Sequence, residues 1–411
     1  MTTVLQTLSP PGSPVHPAAS RTSSRTAHDW RVLSSQNRDE ALALWQQVEA
    51  RCEALNKAQQ AIPLVVSNDW TRIWLNHYGD VVPHEFLVLS DTQGPAGITL
   101  LTTGQGRGFG PFREKTRHLG TAGEKQGESV CVEYNHLLVV PSLRMPFQEQ
   151  IVTYVLQDKS WESFRLDGFI ESEATGLRQE LPGFEVRLRP SPYYNLQAAR
   201  TAGCDPLDRL GRSTRQNLRR LLRKYGEIEV SWAESIDEAH DIFQELVTLH
   251  QARWQSVGQP GAFHSRRFAA FQKELVETSF ANRSSRRRIV LLRARTREQT
   301  IGCLLLLIDG PRLLDYLSGF ADFNVAPSPG LVTHALGIQA ALARGYEAYD
   351  FLVGEKRHKE NLSTDVNQLV WATWRRTTLR SRTVGTLRRL KRRWTEIRRG
   401  EAYTSSAAPA T

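Results

Sequence analysis

The sequence predicts an α/β (α+β) fold in which helices flank mixed central sheets, and three observations support this prediction. Apolar segments with strand periodicity alternate with segments in which apolar residues recur at helical spacing. The order of segments in the second half of the chain repeats the order in the first, with a glycine at the same place in a strand pair (Gly97 and Gly302). At 411 residues, 40% of them apolar, the chain is long enough for two or three domains.

The first half begins with a polar lead and continues with periodic segments. Residues 1–28 are rich in Ser, Thr and Pro and contain no acidic residue, so we expect them to be disordered. Ser67 or Asn68 suits the N-cap of the second helix, and Gly79 suits its end. The predicted elements are, in order, helix 39–55, helix 67–79, strands 85–91 and 96–103, a Gly-rich loop 104–128, strand 129–141, helix 147–158 and strand 161–169.

The second half repeats this series of helices and strands. Its predicted elements are helix 212–225, strand 227–235, helices 237–254 and 265–280, strands 287–295, 300–309 and 312–320, helix 329–344 and strand 347–352. We therefore divide the chain into four regions. They are disordered residues 1–28, an N-terminal domain over 29–200, a C-terminal domain over 205–376, and a basic amphipathic helix with its tail over 377–411.

The basic charge of the chain is concentrated near its end. The net charge is +10, and residues 375–400 contain eleven Arg and Lys residues against one acid, Glu396. Five apolar residues share one helical stripe there: Val384, Leu387, Leu390, Trp394 and Ile397. A basic helix with such a stripe suits an anionic membrane surface. We favour peripheral contact of 384–399 with a membrane over nucleic acid, because phosphate contacts alone require no apolar stripe; a solvated tail is the remaining alternative.

Several classes of protein are disfavoured by the sequence. Its longest apolar run, 301–308, is far short of a membrane span, and no secretory signal pattern is present at the N-terminus. The four cysteines form no CxxC pair, and the histidines show no HExxH pattern. We therefore expect a cytoplasmic protein without a bound metal.

A candidate anion site lies at the predicted helix start around Ser328. Pro329 suits the first helical turn, Ser328 can act as the cap, and Gly330 leaves backbone N–H groups unobstructed. Because free N–H groups and the helix dipole both favour anions, this start suits a pyrophosphate. An ordinary helix start after a loop is an equally good interpretation of these residues.

A second candidate site is a basic and aromatic cluster. His250, Arg253 and Trp254 fall within one helical turn, ahead of a Gly-Pro-Gly loop at 258–261. Such a cluster can hold an anionic or sugar acceptor. The alternative is that Trp254 belongs to the core and Arg253 pairs with an acid.

Five segments together resemble a known family: "RQNLRR", "LHQARW…GQPGAF", "IGCLLLL", "YLSGFADFNVAPSPGLV" and "YDFLVGEKRHKENL". Their order resembles that of the GNAT-superfamily acyltransferases of the CelD-like group, which is associated with cellulose and exopolysaccharide clusters and is related in fold to the Fem-type aminoacyltransferases. The resemblance covers 205–376 well and 35–190 loosely. It implies tandem GNAT-like units with acyl-CoA as co-substrate in the C-terminal unit, where Ser328, Gly330, Leu331 and Val332 occupy the position of the phosphate motif.

The resemblance also implies catalytic residues near the end of the last predicted strand. Asp350 would lie beside the gap that receives the thioester, with 355–359 packed over it. Acyl transfer needs a base, donors for the oxyanion and an acid for the leaving thiolate. Asp350, Glu355, His358 and Lys359 include suitable groups, although an Asp350–Lys359 ion pair that only fixes the turn is an equal alternative.

The resemblance implies an acyl-CoA-dependent acyltransferase, in particular an N- or O-acetyltransferase. Its expected acceptor is a saccharide or another cell-envelope or exopolysaccharide precursor, as in cellulose biosynthesis. The first alternative is a Fem-like transferase that uses aminoacyl-tRNA, for which the basic helix 212–225 would contact RNA. The second alternative is a non-catalytic GNAT-like scaffold.

Overall fold

The structure is a computed structural model. It describes residues 28–55, 62–105, 114–130, 133–281, 287–324, 327–354 and 356–376, except the side chains of 105, 357 and 358. The expected disorder of 1–27, the basic helix and tail of 377–411, Glu355 and the His358 side chain therefore lie outside the described residues.

Thirteen strands form one mixed sheet in the described part of the chain. Their order across the sheet is β1-β2-β3-β4-β6-β13-β7-β12-β11-β10-β9-β8, and β5 pairs with β3. The strands are β1 (Asp29–Ser34), β2 (His84–Asp91), β3 (Gly94–Gln105), β4 (Lys115–Leu119), β5 (Leu138–Val139), β6 (Ser163–Ile170), β7 (Glu185–Asn195), β8 (Glu229–Trp232), β9 (Ile289–Arg295), β10 (Thr300–Asp309), β11 (Arg312–Phe320), β12 (Ala348–Asp350) and β13 (Asp365–Arg375).

Ten α-helices flank this sheet within the same ranges. As far as those ranges extend, no helix combines the length and the apolar composition that a membrane span requires. The helices are α1 (Arg38–Leu55), α2 (Asn68–Tyr78), α3 (Arg144–Gln157), α4 (Glu171–Glu180), α5 (Leu196–Ala202), α6 (Arg212–Tyr225), α7 (Ile236–Gln255), α8 (Arg266–Ala281), α9 (Pro329–Ala343) and α10 (Arg357–Leu362).

The two halves of the chain share strands. β7 lies within the predicted N-terminal domain (29–200) but pairs with β12 of the C-terminal half. β13, from the end of the described chain, inserts between β6 and β7 and pairs antiparallel with both. The sequence predicted separate central sheets; the exchange of β7 and β13 instead joins them into one.

Two apolar clusters cover the two faces of the C-terminal part of the sheet. Leu314 belongs with Phe271 of α8 to one cluster. Its neighbour Leu313 belongs with Ile338 of α9 to the other. Because helices cover both faces, β10 is buried along most of its length and reads as an almost continuous apolar run.

Most of the predicted helices and strands are confirmed, with one clear exception in the first half. The predicted strand 129–141 is wrong apart from β5, since Tyr134 has a left-handed backbone (φ 57°) that interrupts an extended chain. The sequence pattern did not predict the following elements: β1, β4, β7, β13, α4 and α5. β7 carries exposed arginines and two prolines, so it lacks the apolar pattern of an inner strand.

Candidate active site

The parallel strands β11 and β12 diverge soon after they begin. They pair only at Arg312–Ala348, Leu313–Tyr349 and Leu314–Asp350, whereas β11 continues to Phe320. The pairing of β11 with β10 shifts register at this point, because Leu306 faces Asp315 and Leu305 faces Leu317. A bulge at Tyr316 thus adds a local bend where the strands diverge. The result is a gap between β11 and the chain that follows Asp350.

Asp350 lies at the inner end of this gap and is fully buried. Its Oδ2 accepts a hydrogen bond from the Tyr134 hydroxyl. Its Oδ1 accepts bonds from Ser191 Oγ at 2.7 Å and from the Leu352 backbone N–H at 2.8 Å. Burial raises the pKa of this carboxyl, and the three donors oppose that rise. The carboxylate is therefore enclosed by protein donors on both oxygens.

Tyr134 brings the N-terminal half of the chain to Asp350. Its hydroxyl accepts a bond from Asn367 Nδ2 of β13 at 2.9 Å, and the Arg312 guanidinium lies 4.0 Å above its ring. Ser191, the other side-chain partner of Asp350, lies on β7. The exchanged strands therefore build the surroundings of Asp350, which explains why sequence proximity gave no sign of them.

Lys359 holds the chain that leaves β12. Its buried Nζ donates to three successive carbonyls, those of Phe351 (2.5 Å), Leu352 (3.0 Å) and Val353 (3.2 Å). Leu352 has a left-handed backbone with φ of 59°. The suggested ion pair with Asp350 is wrong; the ammonium instead binds the carbonyls that this turn leaves without a strand partner. Burial lowers the pKa of Lys359.

Glu133 is a residue of the site that the sequence analysis missed. Its Oε2 accepts a hydrogen bond from the Val353 backbone N–H at 2.7 Å, directly beside the carbonyls held by Lys359. Burial raises its pKa to about 7, against the opposing charge of Lys359. An acid inside the apolar run 129–141 was the available signal, because such a residue is costly to bury without a role or a partner.

His334 lies on the opposite face of the sheet and was also missed. It belongs to the inner side of α9, where its Nδ1 lies 3.1 Å from the Tyr349 hydroxyl and its Nε2 lies 3.7 Å from Asp315 Oδ2. Burial lowers its pKa to about 3, so the imidazole is neutral at physiological pH. It serves as a polar contact between α9 and the strands rather than as a charged group.

The start of α9 borders the outer end of the gap. Ser328 has a left-handed backbone (φ 51°), and its side chain makes no capping bond, contrary to expectation. The first turn contains no acidic residue, and Gly330 faces the Phe320 ring so closely that an added Cβ would lie 3.2 Å from it. Leu331 is half-buried, and the Val332 side chain is fully buried in the core, so only their backbone groups suit an anion.

The acceptor cluster proposed from the sequence lies along the far part of β11. His250 Nδ1 lies 2.9 Å from the Ser318 carbonyl oxygen, which joins α7 to the strand. The Arg253 guanidinium lies 4.8 Å above the Phe323 ring. Trp254 is 39% exposed and is therefore not a core residue. This cluster and the α9 start both border β11.

One family model matches the part of the chain that contains the gap. Residues 212–360 match the family model of the acetyltransferase (GNAT) domain. The matched segment extends from α6 into α10. No curated protein matches the sequence. Within the described residues, no group of three His, Cys, Asp or Glu side chains is arranged to hold a metal ion.

Three solved structures resemble the whole fold. The crystal structure of FemX has a TM-score of 0.51 at 10% identity, over 84% of this chain and 96% of that one. The C-terminal domain of a putative lysylphosphatidylglycerol synthetase from Agrobacterium fabrum has a TM-score of 0.48 at 13% identity, over 80% and 92%. A tandem GNAT protein from the clavulanic acid pathway has 0.44 at 12%, over 85% and 98%. The predicted fold, a mixed sheet flanked by helices, is confirmed, and residues 212–360 match the GNAT family model, whereas the CelD-like subgroup stays a prediction.

Proposed function

We propose that the protein is an acyltransferase that uses acyl-CoA, with acetyl-CoA as the favoured donor. The observation that carries this proposal is the gap between β11 and β12 in the GNAT domain, which opens at the Leu314–Asp350 pair. Beyond that pair, the edge of β11 offers backbone groups to the amides of a pantetheine arm, as a neighbouring strand would. The acid-free first turn of α9 at the outer end of the gap suits the pyrophosphate.

The proposed acceptor is a saccharide or a related cell-envelope or exopolysaccharide precursor. Its support is the cluster of His250, Arg253 and Trp254 beside β11. Exposed Trp254 and Phe323 offer apolar faces to a sugar ring, while Arg253 offers hydrogen-bond donors to an anionic substituent. Transfer to a sugar amine and transfer to a hydroxyl both suit this surface.

We assign supporting roles to two of the candidate catalytic residues. Asp350 has both oxygens engaged and no exposure, so it acts as a positioning residue for Tyr134 and the Leu352 turn. Lys359 orients the carbonyls of 351–353 along the gap. Glu355 and His358 remain proposed catalytic residues on the strength of the sequence.

The full chain should first be tested for donor binding by thermal shift with acetyl-CoA, longer acyl-CoAs, free CoA and ATP. We expect stabilisation by the CoA compounds and none by ATP. Release of free thiol from acetyl-CoA should then rise on addition of amino sugars or other saccharides. Stabilisation by aminoacyl-tRNA without stabilisation by any acyl-CoA would replace this proposal with the Fem-like alternative, for which α6 presents exposed arginines such as Arg212 and Arg223. If the protein binds neither acyl-CoA nor aminoacyl-tRNA, the non-catalytic GNAT-like scaffold is the remaining hypothesis.

We also propose that the protein is cytoplasmic and contacts an anionic membrane surface through 384–399. The support is the sequence pattern of cations around an apolar stripe. Each cation near such a surface contributes about 1 kcal/mol, which makes the attraction reversible and dependent on salt.

A further inference from the structure

We propose that Glu133, from the N-terminal half of the chain, is the general base for acyl transfer in the C-terminal half. This inference rests on the proposed function and adds a catalytic residue to it. The supporting observation is the path of the segment Glu133–Asn135. This segment fills the space between β4 and β6 in the N-terminal half and extends to the gap between β11 and β12 in the C-terminal half.

The N-terminal half has a gap that corresponds to the one between β11 and β12. There β4 and β6 pair in parallel from Thr116–Ser163 to His118–Arg165. Beyond these pairs the chain itself fills the space. Asn135 lies as an isolated bridge beside Phe169, its backbone N–H donates to Gly168 O at 2.9 Å, and its Nδ2 donates to Leu119 O at 3.0 Å.

Asn135 therefore ties together the two strand ends that would otherwise stand apart. A pantetheine arm between β4 and β6 would have to displace these bonds. The N-terminal half thus uses its gap to hold its own chain, and we expect one acyl-CoA site per chain, in the C-terminal half.

The residues next to Asn135 point into the C-terminal half. Tyr134 is buried, and its hydroxyl donates a hydrogen bond to Asp350 Oδ2. Glu133 accepts the Val353 N–H bond, and the Val130 carbonyl accepts a bond from the Tyr316 hydroxyl at the bulge of β11 at 2.7 Å. Val130 and Glu133 are thus anchored to opposite sides of the gap. Since Asn135, Tyr134, Arg312 and Asn367 hold this segment, Glu133 is placed by several independent contacts.

The carboxylate of Glu133 has one oxygen available for chemistry. Oε2 is engaged by Val353, whereas Oε1 accepts no hydrogen bond from the residues that the structure describes. Asp350 lacks such an oxygen because both of its oxygens accept bonds, and His334 lies on the other face of the sheet. The charged groups that face Glu133 are Lys359, Asp350 and Arg189. Burial and Asp350 raise the pKa of Glu133, whereas Lys359 and Arg189 lower it. The Glu133 carboxyl is therefore able to gain and lose a proton near neutral pH.

The proposed step transfers the acyl group from sulfur to nitrogen or oxygen. The acceptor amine or hydroxyl attacks the thioester carbonyl carbon, while its proton passes to Glu133 Oε1. The new C–N or C–O bond forms, the C–S bond breaks with its electron pair on sulfur, and the Glu133 proton passes to the departing thiolate. The products are the acylated acceptor and free CoA thiol, and Glu133 returns to its carboxylate form.

The test compares Glu133→Gln with wild type in the full chain. The Gln carbonyl oxygen can still accept the Val353 N–H, so the fold is expected to persist. We expect thiol release from acetyl-CoA, with saccharide acceptors or with water, to fall by about 10²-fold or more, with an unchanged Kd for acetyl-CoA. The rise of kcat with pH in wild type should disappear in the variant. Glu133→Asp should retain part of the activity, because it keeps the base but withdraws it by one methylene.

Glu171→Gln is the matched control, since Glu171 is an exposed acid at the start of α4 in the same half. It should leave kcat, Kd and the pH profile unchanged. A Glu133→Gln protein that keeps wild-type kcat and pH profile would overturn the inference, as would wild type that binds acetyl-CoA but releases no thiol to any acceptor. If Glu133→Gln loses cooperative unfolding, the inference is tested with Glu133→Asp instead. Full activity of Glu133→Asp with the pH profile of wild type would contradict the inference. Wild type that fails to bind acyl-CoA would instead overturn the proposed function.

Discussion

Asp350 shows how a single buried carboxylate can hold distant segments of the chain together. Its carboxylate accepts hydrogen bonds from Ser191 of β7, from Tyr134 and from the Leu352 backbone of its own turn. A buried charge is costly unless its hydrogen-bonding capacity is met, so each of these three donors helps to keep the carboxylate stable in the core. The same carboxylate thus links the strand exchange to the geometry of the gap.

Replacing Asp350 with Asn should therefore reduce both turnover and stability. The amide presents an N–H group where the carboxylate accepts, so one of its three donors loses its acceptor at a cost of roughly 1–3 kcal/mol. We expect kcat to fall by about 10²-fold with little change in the Kd for acetyl-CoA, since the pyrophosphate end of the gap is untouched. Steady-state kinetics and thermal unfolding measure the two effects. Ser191→Ala is the control and should cost less, because it leaves the carboxylate with two donors; full activity in Asp350→Asn would exclude the positioning role.

Glu133 should make stability depend on pH in a defined window. Its pKa in the folded chain is raised from 4.5 to about 7, so folding favours the protonated carboxyl. The contribution to stability is fully present below pH 4.5 and is lost as the pH rises through 7. Denaturant unfolding of wild type and Glu133→Gln between pH 4 and 8 should show that wild type loses stability relative to the variant across this window. Parallel curves for the two proteins would show that the pKa is not raised.

At the scale of elements, the short helix α10 acts through one side chain on the turn that precedes it. Lys359 projects back to the carbonyls of 351–353, so the helix secures the chain as it leaves β12. These carbonyls have turned away from the strand ladder with Leu352 in the left-handed region. The buried ammonium replaces the partners that a longer β12 would have provided.

Lys359→Met should destabilise the protein and loosen the gap. The thioether fills a similar volume but donates nothing, so three buried carbonyls lose their partner, at a cost of roughly 1–3 kcal/mol for each group left unsatisfied. We expect a clear fall in the thermal midpoint together with a lower kcat. Lys356→Met is the control, because Lys356 is exposed, and it should change the midpoint little. Equal midpoints for the two variants would contradict this role.

The start of α9 offers a test of donor binding at the same scale. Gly330→Glu places a carboxylate beside the N–H groups of the first turn and should abolish the thermal shift with acetyl-CoA. Because any Cβ at this position lies 3.2 Å from the Phe320 ring, Gly330→Ala is needed to separate crowding from charge. We expect the Ala variant to keep measurable binding. Acetyl-CoA affinity that is unchanged in folded Gly330→Glu would exclude this helix start as the anion site.

Across the whole molecule, strand exchange makes the two halves interdependent. β13 contributes buried Leu369, Val370 and Ala372 between β6 and β7, although it comes last in the described chain. Without β13, the facing edges of β6 and β7 would have no strand between them, and their backbone hydrogen-bonding groups would be exposed. The C-terminal residues are thus needed to complete the N-terminal half of the sheet.

Two truncations should separate β13 from the residues that follow it. A chain that ends at Arg376 should unfold cooperatively at the wild-type midpoint, whereas a chain that ends at Ser363 should lose cooperative unfolding because β13 is missing. The Arg376 truncation should also bind acetyl-CoA as wild type does but no longer sediment with anionic vesicles at low salt. A Ser363 truncation with a wild-type midpoint would contradict the structural role of β13. Full-length protein that ignores the vesicles would contradict the membrane proposal.

The sequence by itself determined most elements of the C-terminal half and the general position of its gap. Local signals predict these elements whichever segment packs against them. They are the apolar pattern of β9, β10 and β11 and the Pro-Gly start of α9. Asp350 was recognisable for the same reason, since it follows a short apolar strand. The catalytic role of the residues near it remains a proposal.

Only the tertiary structure decided which residues meet Asp350 and the gap. Ser191 and Tyr134 lie 159 and 216 residues away from Asp350. Asn367 of the exchanged strand β13 in turn donates to the Tyr134 hydroxyl. Glu133 lies in a segment that reads as a strand, and its left-handed neighbour Tyr134 turns it towards Val353. Local periodicity records which face of an element is buried, but it does not record which distant element buries it. The long-range pairing of β7 and β13 within one sheet determines which distant residues surround Asp350 and the gap.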